Sequence, residues 1–187
     1  MNSLSQELKQ VVKRRLDQAP AAEVLRIVST LCADDGVAPA APVRLAGPRF
    51  TKISDDGRAM AMDSGQWVAV HDAVTDLVWT RAPLEGRHQW KAAHQAAESC
   101  ALCGQAGWRL PTVTELLTLV DYSRADPAID TSFFTEAGNW YWTSTPCAPS
   151  PSVSAWFVYF DNGYSFWRHQ NYEGLVRAVR AGQSLGL

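Results

Sequence analysis

The sequence has no long apolar run. Its N-terminus, MNSLSQELKQVVKRRL, lacks a continuous apolar stretch after a basic start. No later run approaches the ~20 apolar residues that a membrane-spanning helix needs. These absences predict an unsecreted, cytoplasmic protein with no membrane partner, and a component of a phage virion released by lysis would show the same features.

An excess of basic charge is also missing, and cysteine is scarce. The formal net charge is -2 with a pI near 6.1, and lysine and arginine are scattered along the chain. The electrostatic footprint of a duplex-binding protein is therefore absent, and we expect no nucleic-acid partner. Four cysteines in 187 residues are too few for a disulfide scaffold, which fits a reducing compartment.

Apolar residues are nevertheless abundant and unevenly distributed. They make up 47% of the chain, with eight tryptophans, which is enough for one substantial core. Residues 1–33 carry two apolar stripes at helical spacing, and each predicted helix is too short to be stable alone. This segment is either a docked extension or a homo-oligomerisation element. Residues 34–48 are rich in proline, glycine and alanine and predict a linker, which leaves residues 49–187 as the main domain.

A capping box organises the main domain. In WRLPTVTELLTL, from Trp108 to Leu119, the Thr112 hydroxyl and the Glu115 carboxylate can each satisfy a free backbone amide at a helix start. A helix is therefore predicted to begin at Thr112. Another is predicted from Trp90 to Cys100, with Gly104 placed to end it.

Strands are predicted where apolar and polar residues alternate, or where a short segment is apolar on both faces. They are Trp67 to His71, Leu77 to Thr80, Trp140 to Thr145, Ala155 to Phe160, Tyr164 to Trp167 and Leu175 to Arg180. The Ala155 to Phe160 segment is apolar on both faces and should be a central strand. The turn signal Asp161-Asn162-Gly163 joins it to the next strand as a hairpin. Helices beside antiparallel strands predict an α+β domain.

Four motifs in order resemble a known family. WRLPT..EL is followed by YWTSTP at residues 141–146, AWFVYFDNGY at 155–164 and VRAVRAG at 176–182. Over residues 49–182 the chain closely resembles the C-terminal domain of the Legionella collagen-like adhesin, a family without an assigned function. The resemblance implies a C-type-lectin-like fold, with two helices on twisted antiparallel sheets and a last strand pairing near the first. Formylglycine-generating enzymes and the variable receptor-binding proteins of diversity-generating retroelements share that fold.

The chain departs from the resembled family at two positions. The family usually carries glycine at the position of Asp76, so a different turn is expected there, since aspartate tolerates left-handed backbone less readily. The family also commonly pairs a cysteine matching Cys100 with one at the position that is Ala178 here. The disulfide is therefore absent, and Cys100 is expected to be a small buried apolar residue.

The cysteines are the most reactive-looking feature of the sequence. Cys100 and Cys103, with His94 and Cys147, could supply four zinc ligands, but a second paired motif is lacking. No cysteine follows Cys147, so the reactive pair that the resemblance to formylglycine-generating enzymes would require is missing. Nucleophile-elbow and phosphate-loop motifs are also missing. We therefore predict no enzyme activity, no metal and no cofactor, with a Cys100/Cys103 redox or metal enzyme as the alternative.

Six residues are predicted to be structural. Alternation places Arg177 and Arg180 on opposite faces of the last strand, so at least one needs a carboxylate, with Asp121 or Glu136 available. Arg109 is expected to be paired in a similar way. The full structural set is Trp108, Arg109, Thr112, Glu115, Arg177 and Arg180.

The stretch YSFWRHQNY, from Tyr164 to Tyr172, remains as a candidate binding surface. It is dense in the aromatic, arginine and amide side chains that anchor interfaces. Tyr164 and Phe166 share one strand face, Ser165 and Trp167 the other, so only one set is expected to point outward. The predicted ligand-binding residues are Trp142, Trp167, Arg168, His169, Gln170, Asn171 and Tyr172, with Tyr141 as a neighbour. The sequence thus predicts a non-enzymatic module that binds a protein or glycan.

Overall fold

Seven strands and two α-helices make up the part of the chain that the structure describes. The computed structural model describes residues 47–135 and 138–182. The predicted helices within residues 1–33 and most of the predicted linker lie outside the described residues. The strands are β1 (Phe50–Ile53), β2 (Ala69–Asp72), β3 (Leu77–Thr80), β4 (Trp140–Pro146), β5 (Ser154–Tyr159), β6 (Tyr164–His169) and β7 (Val179–Ala181). The helices are α1 (Trp90–Glu98) and α2 (Val113–Leu117).

The first sheet is antiparallel and has the order β1-β2-β3-β7. Val78 of β3 pairs with Arg180 of β7. The last strand therefore lies in the same sheet as the first, but it pairs with β3 at the opposite edge. It is also shorter than predicted, because Leu175 forms an isolated bridge with Tyr141 in the other sheet before the chain reaches β7.

The second sheet is antiparallel, with the order β4-β5-β6. β5 is central, as its apolar pattern predicted, and all of its residues are buried except Trp156 and Tyr159, which are half-buried. The predicted hairpin is present: Tyr159 pairs with Tyr164, and the Gly163 amide donates to the Tyr159 carbonyl at 2.9 Å. Gly163 has φ +77°, a left-handed conformation that glycine adopts without steric cost. The described residues therefore have the predicted α+β class, with two antiparallel sheets and few helices.

The helix starts follow the sequence signals more closely than the helix ends. The capping box is complete: the Glu115 amide donates to the Thr112 hydroxyl at 3.2 Å, and the Thr112 amide donates to the Glu115 carboxylate at 2.8 Å. α1 begins at Trp90 as predicted, but Gly104 does not end it. Ser99 ends α1, and Gly104 closes a separate 3₁₀ turn, Leu102–Gly104.

Two groups of buried side chains form the core. One is built on Trp79, Tyr141, Phe160, Leu116 and Ile129, so it joins both sheets to α2. The other contains Trp108, Trp142, Phe157, Ala93 and Ala97, and it joins β4 and β5 to α1. The two alanines are wholly buried on one side of α1, which lets the helix backbone come close to the sheet.

Arg177 is a wholly buried residue that hydrogen-bonds several backbone carbonyls. Its side chain is 0% exposed, and its Nη1 donates to the Thr80 carbonyl at 2.7 Å while Nη2 donates to the Thr135 carbonyl at 3.0 Å. Of the two predicted carboxylate partners, Asp121 instead pairs with Arg124 at 2.9 Å, and Glu136 lies outside the described residues. Carbonyl oxygens from separate segments therefore converge on one guanidinium, which ties these segments together.

Arg180 of β7 packs against the Trp108 ring. The Arg180 guanidinium lies 5.6 Å from the centre of the Trp108 ring, and it donates to the Ala181 carbonyl at 3.1 Å. The Trp108 ring is buried, and its Nε1 donates to the Leu102 carbonyl at 3.3 Å. Both residues thus join the closing strand to the segment that leads into α2.

The turn at Asp76 has the left-handed backbone conformation that glycine favours. Asp76 adopts φ +50° itself, and its carbonyl accepts from the Gly182 amide at 2.7 Å. Its carboxylate lies 2.9 Å from Nε2 of His71. The expected change of turn is therefore wrong, because aspartate is one of the few residue types that tolerate the left-handed region.

Candidate ligand-binding surface

Strand β6 is exposed on both of its faces. Tyr164 is 67% exposed on one face and Trp167 is 53% exposed on the other. The expectation that only one set of β6 side chains points outward is therefore wrong. The reason is the position of β6 at the edge of its sheet, where it has β5 as its only strand neighbour among the described residues. An edge strand of a three-stranded sheet can extend beyond the elements that cover the central strand.

A row of three rings crosses the second sheet at the hairpin end. Trp140, Tyr159 and Tyr164 are directly paired across β4, β5 and β6, so their side chains share one face. The ring centres of Trp140 and Tyr159 are 5.9 Å apart, and Trp140 is 38% exposed. Phe166, half-buried, follows in the next row with its ring centre 6.3 Å from that of Trp140. We call these four residues, Trp140, Tyr159, Tyr164 and Phe166, the aromatic face.

Trp142 lies on the same sheet face as Trp140, in the row of Phe157 and Phe166, but it is not part of the exposed surface. It is 0% exposed, its ring stacks on Phe157 with centres 3.6 Å apart, and its Nε1 donates to the His88 carbonyl at 2.7 Å. Phe157 in turn stacks on Phe166 at 5.8 Å. The prediction that Trp142 contacts a ligand is therefore wrong, because α1 and the residues around His88 cover that end of β4. Its neighbour Tyr141 is also wholly buried.

Polar groups border the aromatic face. A hydrogen bond with the Asp161 carboxylate raises the pKa of Tyr159 above its ordinary value of 10.0. Asn139, just before β4, accepts from Nη2 of Arg87 at 2.8 Å. Arg168 lies on the same strand face as Phe166, with its guanidinium 5.0 Å from the centre of that ring. The arrangement combines flat rings with charged and amide groups at their margin, as ligand-binding surfaces commonly do.

The residues predicted from Trp167 to Tyr172 have different environments. Trp167, Arg168, His169, Asn171 and Tyr172 are exposed, as expected. Gln170 is half-buried, and its Nε2 donates to the Pro151 carbonyl at 3.0 Å, so this side chain joins the end of β6 to the loop between β4 and β5. Alternation places Arg168 on the aromatic face and both Trp167 and His169 on the opposite face. The structure thus divides between two faces a set that the sequence treated as one surface.

None of the four residues of the aromatic face was among the predicted ligand-binding residues, although Tyr164 and Phe166 lie within the candidate stretch. Trp140 and Tyr159 were assigned only to strands, since nothing in a linear reading shows which residues of different strands become neighbours. One signal was available. The turn Asp161-Asn162-Gly163 sets the hairpin register, which places Tyr159 opposite Tyr164.

Cys100 and Cys103 lie in surroundings that disfavour the thiolate forms of their side chains. Cys103 is buried and its thiol lies 3.4 Å from the Ser54 carbonyl, while Cys100 is half-buried. Burial raises the pKa of both thiols above the ordinary value of 9.0, so the nucleophilic thiolate is disfavoured. Burial also lowers the pKa of His94. Within residues 47–135 and 138–182, no cluster of His, Cys, Asp or Glu is arranged to hold a metal ion.

Residues 68–180 match the model of the Lcl C-terminal domain. The match covers more than half of the chain, and the chain belongs to this family. Membership confirms the resemblance carried by the four motifs, including the AWFVYFDNGY segment that forms β5, the hairpin turn and the start of β6. No curated protein matches the chain. None of the described helices is long and apolar enough to cross a membrane.

Proposed function

We propose that this domain is a non-enzymatic binding module that holds a protein or glycan on its aromatic face. The observation that carries the proposal is the row Trp140, Tyr159 and Tyr164, three rings aligned on one face of a sheet with two of them substantially exposed. Aromatic rings give large contact area with few rotatable bonds, so they bind at low cost in conformational entropy. Exposed rings gathered in one place are uncommon on a surface that has no ligand.

Rigidity of the support favours the same role. The aromatic face adjoins the stacked pair Trp142 and Phe157 in the neighbouring row of the same sheet face, and both of these side chains are fully or almost fully buried. Trp142 is further fixed by its hydrogen bond to the His88 carbonyl. A preorganised surface loses little freedom when a ligand binds, which leaves more of the contact energy as affinity.

Family membership supports a binding module, since the resembled domain belongs to an adhesin. We also propose the C-type-lectin-like fold for the domain, on the strength of the motif resemblance and the α+β arrangement of two antiparallel sheets with two helices. The predicted cytoplasmic or virion location and homo-oligomerisation through residues 1–33 stay predictions.

Among the residues predicted from the sequence, Arg168 has the best position for contact with a ligand on the aromatic face. Its guanidinium can pair with a carboxylate or hydrogen-bond a hydroxyl while its ring contact with Phe166 is kept. His169, Asn171 and Tyr172 follow directly in sequence and are exposed, and we propose them as flanking contacts. A ligand touching Trp167 would have to reach the opposite face of β6.

A parallel screen of glycans and peptides tests the proposal and does not require the ligand to be identified first. The full chain is applied to a glycan array and to a displayed library of peptides, beside the double variant Trp140→Ala/Tyr164→Ala. A matched control is Val74→Ala, which removes an exposed apolar side chain, 61% exposed, from the β2–β3 turn of the other sheet. Hits shared by the wild type and the control but lost by the double variant support the proposal. Hits retained by the double variant, or no hits at all, contradict it.

A further inference from the structure

The outer edge of β6 differs from the other sheet edges. Backbone hydrogen bonds cover the outer edge of β4, where the Trp142 amide donates to the Leu175 carbonyl at 3.0 Å. They also cover the outer edge of β7, where the Arg109 amide donates to the Val179 carbonyl at 2.8 Å. The outer edge of β1 is covered in part as well, because the Lys52 carbonyl accepts from the Met60 amide at 2.8 Å. No backbone segment among the described residues pairs with the outer edge of β6.

The register shows which backbone groups this edge presents. The Gln170 amide donates to the Val153 carbonyl at 2.8 Å, so in an antiparallel pair the alternate residues Arg168, Phe166 and Tyr164 also direct their backbone groups toward β5. The residues between them, Ser165, Trp167 and His169, therefore direct theirs outward. The His169 carbonyl is taken by the Tyr172 amide at 3.0 Å. The amides and carbonyls of Ser165 and Trp167, with the His169 amide, are left as a template for another strand.

Apart from the single charge of Arg168, β6 has none of the features that protect a sheet edge from pairing. Natural edge strands are usually kept from pairing by proline, lysine, a bulge or shortness. β6 has six residues, YSFWRH, with neither proline nor lysine, and its register with β5 is unbroken along the whole strand. Its aromatic residues favour strand structure.

We propose that β6 pairs antiparallel with β6 of a second copy of this chain, around a two-fold axis at Trp167. In this register Trp167 lies opposite Trp167 of the second copy, and Ser165 lies opposite His169. Arg168, the strand's one arginine, lies opposite Phe166 of the second copy. The guanidinium therefore meets an aromatic ring and not the Arg168 guanidinium of the second copy. Centring the axis one residue later would place the two Arg168 side chains opposite each other, which like-charge repulsion disfavours.

Pairing in this register joins three strands from each copy into one continuous sheet. The aromatic faces of the two copies then lie on the same side of that sheet, because residues directly opposite each other share a face. In this dimer the side chain of Trp167 contacts Trp167 of the second copy. The pairing does not depend on the proposed ligand-binding function.

Charge substitution at the axis gives a test in solution. Sedimentation of the full chain over a concentration series should show self-association. Trp167→Lys or Trp167→Glu alone should remove the step that β6 pairing adds to any association through residues 1–33, because each places like charges opposite each other. Mixing the two variants should restore a dimer, which a misfolded variant could not do. Val74→Lys, an equally drastic change on an exposed side chain of the other sheet, should dimerise as the wild type does. A monomeric wild type, or association unchanged by Trp167→Lys, would overturn the proposal.

Cysteine crosslinking tests the register itself. Cα atoms of a directly opposed, hydrogen-bonded pair lie ~5.5 Å apart, within the range of about 4.4–6.8 Å that a disulfide spans. Under copper–phenanthroline oxidation, Trp167→Cys should therefore form a covalent dimer well above the background of the native cysteines. Phe166→Cys lies opposite Arg168 of the second copy and should stay at background. Equal crosslinking of the two variants, or none with Trp167→Cys, would overturn this register. Both tests are independent of the ligand screen.

Discussion

Arg109 and Glu115 form a bidentate salt bridge at the start of α2. Nη1 of Arg109 lies 2.8 Å from one carboxylate oxygen of Glu115, and Nη2 lies 2.6 Å from the other. The same carboxylate accepts from the Thr112 amide, and the Arg109 backbone bridges to Val179 of β7. One side chain thus caps a helix and fixes the segment that holds the closing strand of the first sheet.

Replacing Glu115 should weaken the fold in a pH-dependent way. The hydrogen bonds from Arg109, followed by those from Thr112, lower the pKa of Glu115 from 4.5 to about 2. A lowered pKa stabilises the folded state above pH 4.5, and that contribution is lost as the pH falls from 4.5 towards 2. We expect Glu115→Gln to cost ~1–2 kcal/mol at pH 7, since the charge-assisted hydrogen bonds from Arg109 are weakened, while the glutamine oxygen can still accept from the Thr112 amide.

Urea unfolding at several pH values checks this, with the exposed residue Glu98 replaced by glutamine as the control. The gap between wild type and Glu115→Gln should narrow below pH 4.5. A gap that stays constant down to pH 2 would show that the carboxylate charge is unimportant.

Trp142 and Trp140 should respond differently to the same change. Trp142→Phe removes a buried hydrogen bond to His88 and leaves a small cavity, so unfolding free energy should fall by ~2–3 kcal/mol. Trp140→Phe keeps an aromatic ring at a partly exposed site and should change stability by no more than ~0.5 kcal/mol. Chemical denaturation measures the unfolding free energy of both variants. Equal losses of unfolding free energy would contradict the assignment of Trp142 to the core and Trp140 to the surface.

The hairpin turn offers a comparison between two glycines with similar backbone angles. Gly163 has φ +77° and Gly104 has φ +62°. A Cβ at Gly163 would lie 2.6 Å from Cγ1 of Val120 and 2.9 Å from Cε1 of Tyr122, whereas at Gly104 it would meet no atom within 4 Å. Gly104→Ala should therefore cost ~1 kcal/mol for backbone strain alone, and Gly163→Ala should cost at least ~1 kcal/mol more. Thermal unfolding measures both, and a Gly163→Ala cost no larger than that of Gly104→Ala would contradict the packing around the turn.

Thiol reactivity should be low at neutral pH. Burial raises the pKa of Cys100 and Cys103 above 9.0, so both should be protonated at pH 7 and react with iodoacetamide more slowly than a free thiol. Their reactivity should rise only above pH 9.0. Rapid alkylation of either residue at pH 7, located by mass spectrometry of peptides, would favour the redox or metal enzyme in place of a binding module.

Local signals in the sequence were reliable where chemistry between near neighbours decides the structure. The capping box at Thr112 and Glu115 and the turn at Asp161-Asn162-Gly163 are both present, because each depends on residues within a few positions. The doubly apolar β5 is central for a similarly simple reason, since only a strand covered on both sides can bury both faces.

Exposure at the second sheet was less predictable. Trp142 has the composition of a surface anchor but is buried by α1 and the backbone near His88, which are distant in sequence. Tyr164 and Phe166 were not expected to be exposed together with Trp167. Position at the edge of a sheet decides this, and that position depends on the pairing of strands far apart in the chain. The aromatic face is formed by the same long-range pairing, so the sequence revealed its strands but not the surface.

Calorimetric titration of the strongest hit from the glycan and peptide screens tests the central claim most directly. We expect the double variant Trp140→Ala/Tyr164→Ala to bind at least ~30-fold more weakly than the wild type, since two anchoring rings are worth ~2 kcal/mol or more. Val74→Ala should bind as the wild type does, and all three proteins should unfold at similar temperatures. Wild-type affinity in the double variant would contradict a binding role for the aromatic face.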